Sequence, residues 1–120
     1  MTNDASEPVA FHNLMAIAAD HTAAAWEAFR PGIQRLPLYQ VGPDGQSAAL
    51  LKYDPGAEVP RHHHPGFEHI WVLEGSQTDD NGHYPKGSLV VNPPGSAHSV
   101  YSEEGCVVLA IWEAPVVFEQ

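Results

Sequence analysis

The stretch Gly56-Ala57-Glu58-Val59-Pro60-Arg61-His62-His63-His64-Pro65-Gly66-Phe67-Glu68-His69-Ile70 governs the reading of this chain. Eight histidines occur in 120 residues, and four of them fall here. On a strand alternate side chains share a face, so His62 and His64 project together while His63 points the other way. Pro65-Gly66 then turns the chain, and Glu68 returns on the next strand facing the same pair. Residues of its parity, Ile70 and Val72, are apolar, as an interior row should be. Two imidazoles and a carboxylate are costly to bury in an apolar interior without a counter-charge. A divalent cation supplies that charge and takes those ligand types. A histidine tract can also be a purification tag, but tags lie at termini rather than between strand signals.

On both sides of this stretch the pattern is strand and turn. Ile33–Val41 and Ser47–Tyr53 flank Gly42-Pro43-Asp44-Gly45 and read as a hairpin. Val59–His64 follows the break at Asp54-Pro55-Gly56, and Phe67–Leu73 is a further strand expected to end at Glu74-Gly75. Asn81-Gly82 and Pro85-Lys86-Gly87 are turns, and the latter places His83 in a turn region. Leu89–Val91 precedes Asn92-Pro93-Pro94-Gly95, which no regular element crosses unbroken. Ala97–Tyr101, Val107–Trp112 and an edge strand at Val116–Phe118 complete the set. About eight short strands at regular spacing predict an all-β sandwich or closed barrel. Before them, Phe11–Ala19 is apolar without clear period, open to a short helix or an edge strand. Thr22 could cap a helical turn over Ala23–Phe29, ended by Pro31-Gly32.

Composition narrows the class of function. Fifteen acidic residues against five basic ones give a formal charge of −10, which disfavours nucleic acid and anionic membrane surfaces as partners. No apolar run approaches the ~20 residues of a transmembrane helix. Met1 to Val9 lacks the basic and apolar regions of a secretory signal. Cys106 is the only cysteine, so neither an internal disulfide nor a thiolate-rich zinc site is expected. A reducing cytoplasm is the expected compartment.

Gly56, five residues, His62, one residue, His64, three residues, Glu68, six residues and Gly75 match the first motif of the cupin superfamily. Gly87, Pro93-Pro94-Gly95 and His98 resemble the second, with Ser102 where that family often has asparagine. The resemblance implies a cupin double-stranded β-helix, or jelly-roll barrel, with a short irregular or helical N-terminal segment. Residues 11–120 would form that single domain and residues 1–10 a flexible tail. It also implies four ligands for one divalent transition metal (zinc, iron, nickel or manganese): His62, His64, Glu68 and His98. Three neutral imidazoles and one carboxylate around a 2+ ion leave about one positive charge, which favours a small chelating anion or enolate. Glu68 is then a ligand or a catalytic base.

Arg61-His62-His63-His64-Pro65-Gly66, Tyr84-Pro85-Lys86-Gly87 and Asn92-Pro93-Pro94-Gly95-Ser96-Ala97-His98 more narrowly resemble the ChrR-type cupin group, itself similar to acetylacetone-cleaving dioxygenases. Anti-sigma members of that group carry an N-terminal helical zinc domain with no counterpart in these 120 residues, so the sigma-binding role is not carried over. The resemblance leaves two functions open. One is a metal-dependent oxygenase acting on a small diketone- or enolate-like substrate. The other is a non-enzymatic zinc-binding sensor module responding to an effector. A homodimer is expected, with Leu14–Ala19 as a candidate exchanged edge strand. His63 and His69 fall on the wrong strand parity for a ligand role, and His12, His21 and His83 read as surface residues. Cys106, with acidic neighbours, reads as an unreactive thiol. Trp71 and Trp112 read as core or interface aromatics, and Glu58 and Glu113 as solvated.

Overall fold

Long-range strand pairing builds this molecule, and the computed structural model describes it over residues 7–119. The first six residues of the expected tail lie outside that range. Helix α1 (Leu14–Ala19) precedes β1 (Glu27–Arg30), β2 (Ile33–Gln40), β3 (Ser47–Tyr53), β4 (Glu58–His63) and β5 (Glu68–Asp79). Then follow β6 (Gly82–Pro85), β7 (Leu89–Asn92), β8 (Ala97–Tyr101), β9 (Cys106–Trp112) and β10 (Val117–Phe118). All the pairings are antiparallel. The all-β jelly-roll expectation holds. No helix among the described residues is long and apolar enough to cross a membrane.

The organising element is β5, which belongs to two sheets. Its first half, from Glu68 to Gly75, pairs with β9, and Glu68 to Trp71 also pair with β7. Beyond Gly75 the same strand pairs with β6 and β8. One sheet therefore runs β7-β5-β9-β3-β2-β1, and the other β6-β5-β8-β4-β10. Gly75 makes the crossing possible. It has φ +68°, and a β-carbon there would run into the carbonyl oxygen of Gly105, so only glycine fits both the backbone and the space. The sequence reading ended this strand at Glu74-Gly75. In fact the glycine bends the strand rather than stopping it, and the extra turn of pairing carries Asp79 into the second sheet.

Strand alternation then sorts the apolar residues into two cores. Ile33, Leu51, Tyr53, Val59, Ile70, Val72, Val100, Val108 and Ala110 fill the space between the sheets. Leu50, Leu73 and Val107 have the opposite parity and lie on the outer face, where Ala18, Trp26 and Leu36 pack against them. Val72 and Val108 are wholly buried, each worth about 1.5–3 kcal/mol relative to exposure.

The N-terminal region corrects two expectations. Leu14–Ala19 is a helix, not an exchanged edge strand, with Asn13 Oδ1 accepting from the Ala16 N–H at 3.2 Å. Its buried face covers the outer sheet, which a strand paired at an edge could not do. No helix forms over Ala23–Phe29; Thr22 donates to Asp20 Oδ1 instead of capping forward, and Glu27–Arg30 pairs with β2 as a strand. The β2–β3 hairpin forms as predicted. His83 lies within β6 rather than in a turn, and it is exposed.

Candidate metal centre

Three imidazoles converge between the sheets. His62 on β4 and His98 on β8 are directly paired across the ladder, and His64 lies one residue beyond the end of β4, on the same face as His62. Their ring centroids form a nearly equilateral triangle with sides of 5.1, 4.7 and 4.8 Å. One ligand-capable nitrogen from each lies within 4.8 Å of the others, and all three residues are buried. Glu68, the first residue of β5 and 5% exposed, borders this group. Its Oε1 is 3.1 Å from His64 Nε2 and 4.0 Å from His98 Nε2. His63 and His69, excluded by parity, are not part of the cluster.

Hydrogen bonds at the back of each ring fix which nitrogen faces inward. His62 Nδ1 donates to the Pro60 carbonyl at 2.9 Å, and His98 Nδ1 to Asp79 Oδ2 at 2.8 Å. Neither acceptor has a proton to give, so both Nδ1 atoms carry one. His64 Nδ1 meets Ser96 Oγ at 2.9 Å, and that hydroxyl already donates to the Pro93 carbonyl at 2.6 Å. Ser96 therefore accepts from His64 as well. In the neutral imidazole this leaves the Nε2 lone pair of every ring turned toward the interior. Burial, reinforced by the nearby His98 and His64, holds His62 below the usual histidine range and so neutral.

Glu68 is held just as firmly. Trp112 Nε1 donates to Oε2 at 2.6 Å, and Asn92 Nδ2 to Oε1 at 3.0 Å. Both donors are cross-strand neighbours of Glu68, Asn92 on β7 and Trp112 on β9. Burial pushes the Glu68 carboxyl up; the Trp112 N–H, together with His64 and His98 whenever they carry a proton toward it, outweighs burial and holds the carboxyl below its ordinary value. Asp79 is likewise kept low, because His98, the Asn81 N–H and Tyr84 outweigh its burial.

Whether these residues suit a metal can be read from the atoms left over. His64 Nε2 and His98 Nε2 are buried with no hydrogen-bond partner, and the 3.1 Å approach of Glu68 Oε1 to His64 lacks hydrogen-bond geometry. Buried polar atoms without partners are rare and costly. Inward lone pairs beside an ionised carboxylate are instead what a divalent cation satisfies, and oriented imidazoles backed by acceptors are the usual support of such a site.

The sequence reading did not find Asp79, Ser96, Asn92 or Trp112 as supports. Trp112, expected as a core or interface aromatic, is partly buried against the inner core, and its indole also holds Glu68. Glu113, exposed as expected, accepts the Phe67 N–H at 2.9 Å. Ser102, at the position where asparagine was expected, is fully buried and donates to the Ser76 carbonyl at 2.6 Å. It therefore secures the sheet and leaves the histidines untouched. Cys106 is buried, and that burial pushes its thiol up to about 11.

Residues 14–114 match the family model described as the ChrR cupin-like domain. The anti-sigma-E factor ChrR of Cereibacter sphaeroides is 32% identical over 77 residues, which are 62% of this chain and 36% of that protein. The match thus spans about a third of the length of this relative. Among solved structures, an acetylacetone dioxygenase from Acinetobacter johnsonii superposes with a TM-score of 0.77 at 14% identity, covering all of this chain and 82% of that one. Rhodobacter sphaeroides SigE in complex with the anti-sigma ChrR gives a TM-score of 0.66 at 22% identity, over 90% of this chain and 70% of that one. At such identities these structures speak for the fold alone.

Proposed function

Because this chain belongs to the ChrR cupin-like family, we propose that it is a metal-dependent oxygenase acting on a small, chelating diketone- or enolate-like substrate. His62, His64 and His98 would hold one divalent transition metal (zinc, iron, nickel or manganese), with Glu68 as fourth ligand through Oε1. The observation that carries the reading is the three inward Nε2 atoms, each fixed by a hydrogen bond behind its ring, two of them buried without a partner. Bound there, a redox-active ion such as iron(II) supplies Lewis acidity and electrons for chemistry with O₂.

The chain's own part is to hold and shield. Asp79, Ser96 and the Pro60 carbonyl keep the rings oriented, and Trp112 and Asn92 keep Glu68 ionised and aimed. Glu68 would serve either as that fourth ligand or, when off the metal, as the base for the proton of an enolisable substrate. Val59, Ile70, Val100 and Phe118 line a cavity beside His62, Glu68 and His98, an apolar setting that limits water and strengthens each charge interaction.

Protein purified without added metal should contain one ion per chain by elemental analysis, and His98→Ala should contain none. Chelation should lower the melting temperature, since a ligand at ~1,000 times its dissociation constant contributes about 4 kcal/mol. Iron(II)-loaded protein should consume oxygen with a β-diketone. Uptake no greater than that of His98→Ala would refute the oxygenase reading. A second reading, a non-enzymatic zinc sensor of the ChrR type, is favoured by the name of the 32% identical relative; it predicts bound zinc, metal-dependent stability and no turnover. The homodimer expected from the sequence would close over the outer face bearing Trp71, Leu89 and Val91, which are 46%, 63% and 48% exposed; sedimentation equilibrium measures it. The reducing cytoplasm suits a chain whose one cysteine is buried and unpaired.

A further inference from the structure

The cavity beside the histidines has one cationic wall. Arg30, the last residue of β1, lines it together with Phe118, Tyr53, His62, Glu68 and His98. Its guanidinium carbon lies 4.3 Å from the centroid of the Phe118 ring, and that ring is 5.6 Å from the His62 imidazole. These two legs put the guanidinium within about 10 Å of His62. Its charge also reaches the cavity interior, where burial pushes the Tyr53 hydroxyl up and Arg30 opposes it.

Arg30 lacks the partner its surroundings should provide. Fifteen acidic residues are available to five basic ones. Arg35 pairs with Glu27, and Arg61 with Asp80 and Glu119. Among the described residues no carboxylate lies within 4.0 Å of Arg30. The carboxylate that lines the same cavity, Glu68, is already engaged by Trp112 and Asn92. A half-buried guanidinium held on an aromatic face, in a strongly acidic chain, is a donor fork waiting for an anion from outside.

We infer that Arg30 is a specificity residue that binds the carboxylate of an oxo-acid substrate, whose chelating oxygens face His62, His64 and His98. This inference rests on the metal-centre reading above and narrows its substrate from diketones in general to small oxo acids with a β-dicarbonyl or enol group. Size agrees with charge. The cavity is about 50 Å³, room for roughly three to five waters, so the ligand is short. The charge count agrees too, because a site with about one net positive charge plus Arg30 matches a dianion, an enolate that also carries a carboxylate.

The test uses two five-carbon probes that differ at one end. 2,4-Dioxopentanoate has a carboxylate where pentane-2,4-dione has a methyl group. Each is titrated calorimetrically into the full chain loaded with zinc, which excludes turnover, at low ionic strength. The wild type should bind 2,4-dioxopentanoate at least tenfold more tightly than the dione. Arg30→Met should weaken 2,4-dioxopentanoate about 10- to 100-fold, the range for a charge-assisted hydrogen bond, and change the dione less than threefold. Arg30→Lys, which keeps the charge but not the planar fork, should fall between and serves if Arg30→Met does not fold. Zinc content is measured in every variant. No preference in the wild type, or equal losses for both probes, would overturn the role of Arg30 and leave the metal centre standing. Failure of the wild type to hold zinc would overturn both.

Discussion

Asp79→Asn is the sharpest test of how the site is built, because it alters one atom of a side chain that no reading of the motif names. Four donors converge on this carboxylate. His98 Nδ1 is 2.8 Å from Oδ2, while the N–H groups of Asn81 and Gly82 and the Tyr84 hydroxyl lie 2.8, 3.1 and 3.0 Å from Oδ1. An amide has one acceptor oxygen and must choose. The two backbone N–H groups cannot reverse, so the oxygen stays with the turn and the NH₂ faces His98. His98 then has to offer its Nδ1 lone pair and carry its proton on Nε2, the atom that would face a metal in the proposed centre. Loss of such an orienting partner typically costs 10- to 100-fold in metal affinity. The apoprotein should lose about 1–2 kcal/mol from weakened hydrogen bonds at the turn. Competition for zinc against a fluorescent chelator reports the first quantity, and urea unfolding of the metal-free chain the second. Zinc affinity within threefold of wild type, with the expected fall in apoprotein stability, would refute the tautomer argument while leaving the turn argument intact.

Two further outcomes can be checked on the metal-free protein. Trp112→Phe removes the 2.6 Å donor to Glu68 Oε2 and leaves a buried carboxylate oxygen short of a partner. It should lower the urea unfolding free energy at pH 7 by about 1.5–3 kcal/mol, and an unchanged value would mean that the indole serves only as filler. Cys106 has a thiol raised to about 11 by burial, with Ser102 pulling weakly the other way. Between the unfolded value and that figure the folded state keeps a proton that the unfolded chain releases. Stability should therefore fall as pH rises from 9 to 10, by up to about 1.4 kcal/mol. Cys106→Ala should show a shallower slope over the same interval, and an identical one would dismiss the thiol as its source.

What the sequence determined is local or periodic. His62 and His64 share a face because strand side chains alternate, and the same alternation excluded His63 and His69. The β2–β3 hairpin followed from the turn chemistry at Gly42-Pro43-Asp44-Gly45, and His98 was placed by motif spacing. Phe11–Ala19 is apolar without a clear period, so its sequence does not separate helix from strand, and the six-residue helix at Leu14–Ala19 is decided by packing on the outer sheet. The expected helix over Ala23–Phe29 failed because Glu27–Arg30 is decided by pairing with β2, a contact its own propensity does not encode. Gly75 was read as a stop because a lone glycine signals a break, whereas the approach of Gly105 that makes it a bend exists only in the folded chain. Register is what only the tertiary structure decided. It set Asn92 and Trp112 on either side of Glu68, carried Asp79 behind His98, and brought Arg30 from β1 to the cavity. The candidate ligands could be read from one stretch and one motif. Their supports, Pro60, Asp79, Asn92, Trp112 and Ser96, come from four strands and one connecting segment, where hydrogen-bond geometry, not spacing, selects the partners.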